Sequence, residues 1–455
     1  MSKFFKNNEM DLTTGPLFKK LIIFSLPIFL SLILQIFYNS ADLAIIGQFA
    51  GDLSLAAVGS TSSVTALLVN LFMGLSIGTN IIVARSIGAK NSESISKAVH
   101  TSLILSVILG VICMAVGLIF SRDLLILLNC EDQLLERANT YLSIIFLGAP
   151  FNIIYNFGSA ILLAMGDTKK PLIYLGISGI INVSLNLIFV IVFKLDVSGV
   201  AIATIISQFI AMIFVIVDLT KSNTDCKLNF KQLKICKTQL LQVLRIGLPS
   251  GLQTAMFNIT NLIAHGFMIS LGESVISGHT IANSLGGFIF NISTAVAQAI
   301  TAFVAQNYGA GNIKYIRKIQ VTATLTSIIA TAISSTIFIL IRYQLFNIYT
   351  SSASVIENAS LTFIILVPFY CVWALSEAST GVSKGLGSSV TPMVLTLLCT
   401  CLLRVLYFIF IFPLNNSFEQ LLWVYPISWV ILMILQFIWS EIVYRKAIKN
   451  SLKSI

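Results

Sequence analysis

Only two acids, Asp42 and Glu377, sit well inside apolar runs of this chain, and Asp42 keeps the more telling company. It lies near the far end of the stretch from Leu21 to Gly47, beside Gln35, Tyr38 and Asn39. A carboxylate in so apolar a setting costs roughly 2.5 to 3.5 kcal/mol on insertion-based scales, so it should face protein or water and have a task. Its chemistry would be to hold a proton or a small cation. Oxygen-bearing partners exist in later runs. Asn182 and Asn186 stand one helical turn apart on one face, and Thr204 and Gln208 repeat that spacing. A carboxylate, two amide carbonyls and a hydroxyl supply four hard oxygens, enough to attract a sodium ion, whereas a proton needs only the acid. The same amides and hydroxyl are also suited to tying helices together, at about 0.6 kcal/mol each in membranes. Composition alone leaves these alternatives open.

No catalytic centre and no metal site is expected. The seven cysteines (Cys113, Cys130, Cys226, Cys236, Cys371, Cys399 and Cys401) are scattered and odd in number, which implies neither a disulfide framework nor a metal cluster. His100, His265 and His279 are equally dispersed and read as packing or surface histidines.

The elements that must position Asp42 follow from composition. At 455 residues, 56% hydrophobic and 10% charged, the chain has too little polar surface to cover a soluble globule. A membrane span needs about 20 mostly apolar residues, and twelve such segments consume most of the sequence. The fold expected is therefore an all-α membrane protein. Met1 to Lys20 lacks a cleavage site close behind a short apolar core, so the first run is expected to be a retained span. Pro27, early in that run, weakens the helix ladder and makes it a bendable helix with a hinge.

The net charge of +10 could suggest nucleic acid, but its placement argues otherwise. With the N-terminus inside, every Lys and Arg falls on the cytoplasmic side except Arg122, Arg137, Lys194, Arg342 and the intramembrane Arg404. This positive-inside asymmetry predicts a multi-pass protein of the cytoplasmic membrane with both termini cytoplasmic. The longest hydrophilic stretch, 221–245, reads as a basic linker, with Leu228, Phe230 and Leu233 among lysines predicting a helix lying on the membrane surface.

Across that linker the sequence repeats. Leu26-Pro27 recurs as Leu248-Pro249, Gly88-Ala89 as Gly309-Ala310, and Gly166 with Pro171 as Gly387 with Pro392, all at nearly one offset. An even number of spans in each half leaves the halves alike in orientation, a parallel repeat. The expected organisation is a cytoplasmic segment 1–16, a six-helix lobe 17–220, the linker 221–245, a second six-helix lobe 246–444 and a cytoplasmic tail 445–455. Twin lobes of this kind suit alternating access. Gln253, Asn258 and Asn261 in the seventh span, with Phe257 nearby, form mixed amide and aromatic surfaces suited to bulky, amphipathic or cationic solutes.

At this point the chain resembles the MATE family, the multidrug and toxic compound extrusion antiporters. The resemblance rests on Gln35 to Asp42 with Gly47, on Arg85 to Ala89, on Met165-Gly166-Asp167-Thr168-Lys169 and on Gly247-Leu248-Pro249, and it covers essentially the whole chain. It implies two six-helix lobes that export varied drug-like compounds in exchange for sodium ions or protons. It also implies a coupling-ion site of Asp42, Asn182 and Thr204, and places Tyr141 and Asn156 on the wall of the amino-terminal cavity, near Gln35 and Tyr38. Asn186 departs from the pattern, standing where many bacterial members carry a second acid, and Leu163 replaces a frequent arginine. Glu377, where amides are common, would supply a cation-attracting charge in the other lobe, with Arg404 its expected partner, since an unpaired intramembrane charge is improbable.

The resulting expectation is a monomeric secondary exporter, not an enzyme, needing no cofactor beyond its coupling ion and no nucleic-acid partner. The rival reading is a flippase for lipid-linked oligosaccharide or polysaccharide. Such proteins tend to carry more cationic cavities, and here only Arg404 is a clear intramembrane base.

Overall fold

In lipid every backbone polar group must find its partner within the chain, so long apolar segments resolve into helices. The computed structural model describes residues 9–128 and 130–453, and among them there are helices and turns but no strand. Lys3 and Lys6 of the expected cytoplasmic N-terminus lie outside the described residues. The first half comprises α1 (Leu17–Phe49), α2 (Asp52–Gly88), α3 (Ser92–Leu127), α4 (Asp132–Ala164), α5 (Lys169–Leu187) running into a π turn (Ile188–Val192), and α6 (Asp196–Lys221). The second comprises α7 (Lys237–Ile269), α8 (Glu273–Gly309), α9 (Ile313–Leu340) and the short α10 (Arg342–Tyr349). It continues with α11 (Ala353–Leu366) and α12 (Tyr370–Gly385), joined by a 3-10 turn, then α13 (Val390–Thr396) and α14 (Leu403–Phe410), joined by a π turn (Leu397–Leu402), and closes on α15 (Phe418–Lys453). Eleven of these segments, counting α11 with α12 and α13 with α14 as one each, are long and apolar enough to cross a membrane among the described residues. The 33-residue α7 occupies the place of the remaining expected span, so the all-α, twelve-span reading holds.

The repeat is visible in the backbone. Gly51 and Gly272, at φ 89° and 113°, open α2 and α8, and Gly166 and Gly387, at 89° and 87°, close α4 and α12. Gly166 is doubly constrained, because a Cβ there would meet the Met10 carbonyl oxygen at 2.2 Å. The turn after it is fixed by Asp167, whose Oδ1 accepts from the backbone N–H groups of Lys169 (3.1 Å) and Lys170 (3.2 Å) and so satisfies the free donors opening α5.

The chain packs as two compact units. One is built from Leu30–Gly251 with the described part of Met1–Asp11, the other from Leu12–Phe29 with the described part of Leu252–Ile455. The division passes through α1 next to Pro27 and through α7 next to Pro249. Within the first unit, Gly74 and Gly78 of α2 lie against the start of α7, where a Cβ on Gly74 would come within 2.5 Å of the Gly251 Cα. That is the close backbone approach small residues permit. Within the second, the start of α1 is held by Phe24 edge-on to Phe303 (5.4 Å) and by Leu12, whose carbonyl accepts from Asn307 Nδ2 (3.0 Å).

The expected surface helix in 221–245 is not there. The stretch carries only a 3-10 turn (Phe230–Gln232) before α7 begins at Lys237. Side chains at the start of α3 satisfy its backbone instead: the Asn229 N–H meets His100 Nε2 (3.1 Å) and the Cys236 N–H donates to Thr101 Oγ1 (3.0 Å). Cys226 and Leu228 are buried within the first unit, whereas Phe230, Leu233 and Ile235 remain exposed.

Candidate functional site

The site in the first unit is built from α1, α5 and α6. Asp42, half-buried on α1, accepts a hydrogen bond at Oδ1 from Asn186 Nδ2 at 2.5 Å. Asn186 Nδ2 also donates to Asn182 Oδ1 (3.3 Å), and Asn182 Nδ2 donates in turn to Thr204 Oγ1 (3.3 Å). The Thr204 hydroxyl donates to the Val200 carbonyl at 2.9 Å and lies near Asp42. The four residues read from spacing as oxygen donors thus form one hydrogen-bonded group. Asn186 is fully buried, and its Oδ1 has no partner. A buried amide oxygen left without a donor is costly and is suited to accept a proton donor or a cation. Tyr141 is buried behind the group with Ile45, Ile46, Val58, Val190 and Val200, close enough to feel the Asp42 charge. The π turn at Ile188–Val192 begins two residues after Asn186, a disturbance of the helix that recurs at functional sites.

One turn below, the Tyr38 hydroxyl donates to the Leu175 carbonyl of α5 at 2.6 Å. Gly179 makes this possible, since a Cβ there would lie 1.8 Å from the Tyr38 ring. Sequence reasoning missed Gly179; its position one turn before Asn182 was the available signal. Gln35 is half-buried on α1. Asn156 does not join the group: its Nδ2 donates within α4 to the Asn152 carbonyl (2.9 Å) and to Asn152 Oδ1 (3.0 Å).

The remaining expected residues belong to the second unit. Gln253 is buried and donates to Thr396 Oγ1 at 2.7 Å, leaving its own Oε1 unpartnered. Asn258 donates to the Thr254 carbonyl at 2.9 Å. The expected pairing of Glu377 with Arg404 is corrected. The opposite charge felt by Glu377 is Lys384, two turns on in α12. Arg404 instead donates to Ser428 Oγ (3.0 Å) and lies against the Tyr425 ring (4.4 Å). Hydrogen bonds and a ring face stabilise that guanidinium where an acid was expected.

A second ionic group escaped the sequence reading. Lys170 is buried between Asp218 of α6 (2.9 Å) and Asp167 (3.6 Å). Burial pushes the Asp167 carboxyl above its ordinary range, against the pull of Lys170. Glu9 lies near the same three charges, and burial raises its carboxyl too, again opposed by Lys170.

Known proteins share this sequence pattern and fold. The MatE family model matches the chain twice, over residues 27–188 and again over 249–409. The probable multidrug resistance protein YoeA of Bacillus subtilis is 24% identical, covering 93% of this chain and 94% of its own. The multidrug export protein MepA of Staphylococcus aureus is 26% identical over 78% of each. Among solved structures, a MATE protein in complex with MaL6 superposes with a TM-score of 0.91 at 24% identity, covering 98% of this chain and 100% of its own. An outward-facing multidrug resistance MATE transporter of the MOP superfamily gives 0.90 at 23%, covering 97% and 99%. With the double match spanning most of both halves and a shared fold along nearly all its length, the chain belongs to the MatE family of multi-pass membrane transporters, which are not enzymes.

Proposed function

We propose that this protein exports amphipathic or cationic drug-like compounds from the cytoplasm, each export driven by entry of a sodium ion or proton that binds at Asp42. The single observation that carries the reading is the Asp42–Asn186–Asn182–Thr204 group, in which a carboxylate, a hydroxyl and an unpartnered buried amide oxygen converge. The relatives' names, multidrug resistance and multidrug export proteins, support the substrate class. In this reading Asp42 is either occupied by the ion or engaged with its amide and hydroxyl partners, Tyr38 and Gln35 border the drug's path, and Tyr141 backs the ion site. Bending of α1 at Pro27 accompanies the exchange as the two lobes alternate access. Both termini lie in the cytoplasm, the protein works as a monomer in the cytoplasmic membrane, and Glu377 draws cations toward the second lobe.

For a neutral amphipathic substrate the membrane potential alone suffices, whereas for a monovalent cation the ion's concentration gradient must drive a one-for-one exchange. One inward charge crossing about 100 mV gains roughly 2.3 kcal/mol, which concentrates a neutral solute some fifty-fold if coupling is tight. Everted vesicles incubated with a fluorescent cation, energised by a sodium gradient and a proton gradient in separate runs, test the reading. Accumulation under one gradient, lost in Asp42→Asn with the protein still present in the membrane, is expected; full transport by that variant removes Asp42 from the mechanism.

A further inference from the structure

Arg404 of α14 is fully buried, and no carboxylate among the described residues pairs with it. Its Nε donates to Ser428 Oγ (3.0 Å) and its Nη1 to Asn261 Oδ1 (3.5 Å), but Nη2 finds no acceptor. Two further buried donors of the second unit are in the same condition, Trp373 Nε1 and Trp429 Nε1. All three belong to one aromatic box. The guanidinium lies 4.4 Å from the Tyr425 ring and 5.9 Å from that of Phe257. Phe257 is 5.4 Å from Trp373, and Trp429 is 6.0 Å from both Trp373 and Tyr425.

Guanidinium and indole nitrogens can donate hydrogen bonds but never accept them. A box with one fixed positive charge and three unused donors therefore lacks an acceptor, and specifically a negative one. Water-poor surroundings make such unmet donors expensive and make a charge-assisted bond to them strong. We propose that this box binds a monovalent anionic group, either the carboxylate of an organic molecule or a chloride ion, with the oxygens or the halide at Arg404 Nη2 and the indole N–H groups. For a carboxylate, the rings of Phe257, Trp373 and Trp429 hold the apolar body while Arg404 holds the charged end. The second lobe then recognises negative charge, so that zwitterionic compounds fall within the protein's range. Only this last point rests on the export reading; anion binding does not.

The test uses the full-length protein in lipid nanodiscs, without any ion gradient, in isethionate buffer of constant ionic strength. Tryptophan fluorescence is read while chloride, and in a separate arm benzoate, is titrated. Two of the four tryptophans line the box, so occupancy should change the signal. The expected result is a saturable change with at least one anion, weakened about tenfold or more in Arg404→Gln, as the loss of a charge-assisted bond implies, and partly kept in Arg404→Lys. Saturation by chloride alone assigns the inorganic ion; saturation by benzoate assigns the organic carboxylate. If neither anion saturates the wild-type signal, or if Arg404→Gln binds as the wild type does, the proposal is overturned. Should Arg404→Gln fail to elute as a single species, Trp429→Phe and Arg404→Lys carry the comparison, each expected to bind a few-fold more weakly. Cation-driven efflux, measured on the same wild-type preparation in proteoliposomes, reports the export reading separately.

Discussion

Where the first half of the chain places Asp42 on α1, the second half places Ala264 on α7, fully buried in an apolar cluster. Where the first half has Thr204 on α6, the second has Tyr425 on α15. On the helix corresponding to α5 the difference is sharper. The second half puts its π turn, Leu397–Leu402, ahead of Arg404, whereas the first half puts Ile188–Val192 after Asn186. A π turn inserts one residue into the helix, so counted from Pro171 and Pro392 it is Arg404 that takes the register of Asn182. Two copies of one architecture thus carry opposite charges, Asp42 on the first helix of one half and Arg404 on the fifth of the other. The repeat shares its frame, and a few residue differences together with the shifted place of the π turn give its halves different polar groups.

That contrast can be broken experimentally. The largest effect is expected from Asp42→Asn, which should abolish ion-driven export in the vesicle assay without reducing the amount of protein in the membrane. Its counterpart, Glu377→Gln, should only raise the drug concentration needed for half-maximal export by a few-fold; if it abolishes export instead, the lobes share the coupling task and the contrast fails.

Next in size is Lys170→Met, which leaves Asp167 and Asp218 buried without their cation and should destabilise the protein by about 3–5 kcal/mol, read as a lower melting temperature in detergent. The second half has Thr391 at the matching place, so no equivalent loss is expected there. The pH dependence has a definite sign. Burial already raises the Asp167 carboxyl, so the folded state favours its protonated form, and the stability tied to that form is present at low pH and lost as pH rises through the raised value. The variant's deficit should therefore shrink as pH falls toward 4. A deficit that grows on acidification would contradict the assignment.

Thr204→Val removes one hydroxyl while keeping the shape and should weaken the coupling ion about tenfold, seen as a higher half-saturating ion concentration for transport. Gly179→Ala should have the smallest effect, displacing the Tyr38 ring at about 1–3 kcal/mol of packing strain and slowing transport while the ion's half-saturation stays unchanged.

Much of this was legible before any coordinates. Hydropathy runs mark the spans because lipid imposes one rule on the whole backbone. Asp42 and its three partners were legible because an intramembrane acid is expensive and Asn182 and Asn186 share a helix face. What sequence could not show was pairing at long separation. Lys170 and Asp218 are 48 positions apart, and Lys170 looked like one more cytoplasmic charge beside Lys169. Arg404 was matched to Glu377 because they were the obvious opposite charges in apolar runs, and no spacing rule reveals that a tyrosine face and a serine hydroxyl serve it instead. The 221–245 stretch had the leucine pattern of a surface helix; His100 and Thr101, more than a hundred residues earlier, compete for its backbone and win.

The most direct measurement reverses the exchange. In proteoliposomes with no imposed ion gradient, an outwardly directed gradient of a transported drug cation should pull sodium ions or protons inward through the wild-type protein, traced by radioactive sodium or a trapped pH dye. Asp42→Asn should carry no such drug-dependent ion flux. Equal drug-dependent flux through Asp42→Asn, or drug movement in the wild type with neither ion moving, would contradict the claim that this carboxylate exchanges ion for drug.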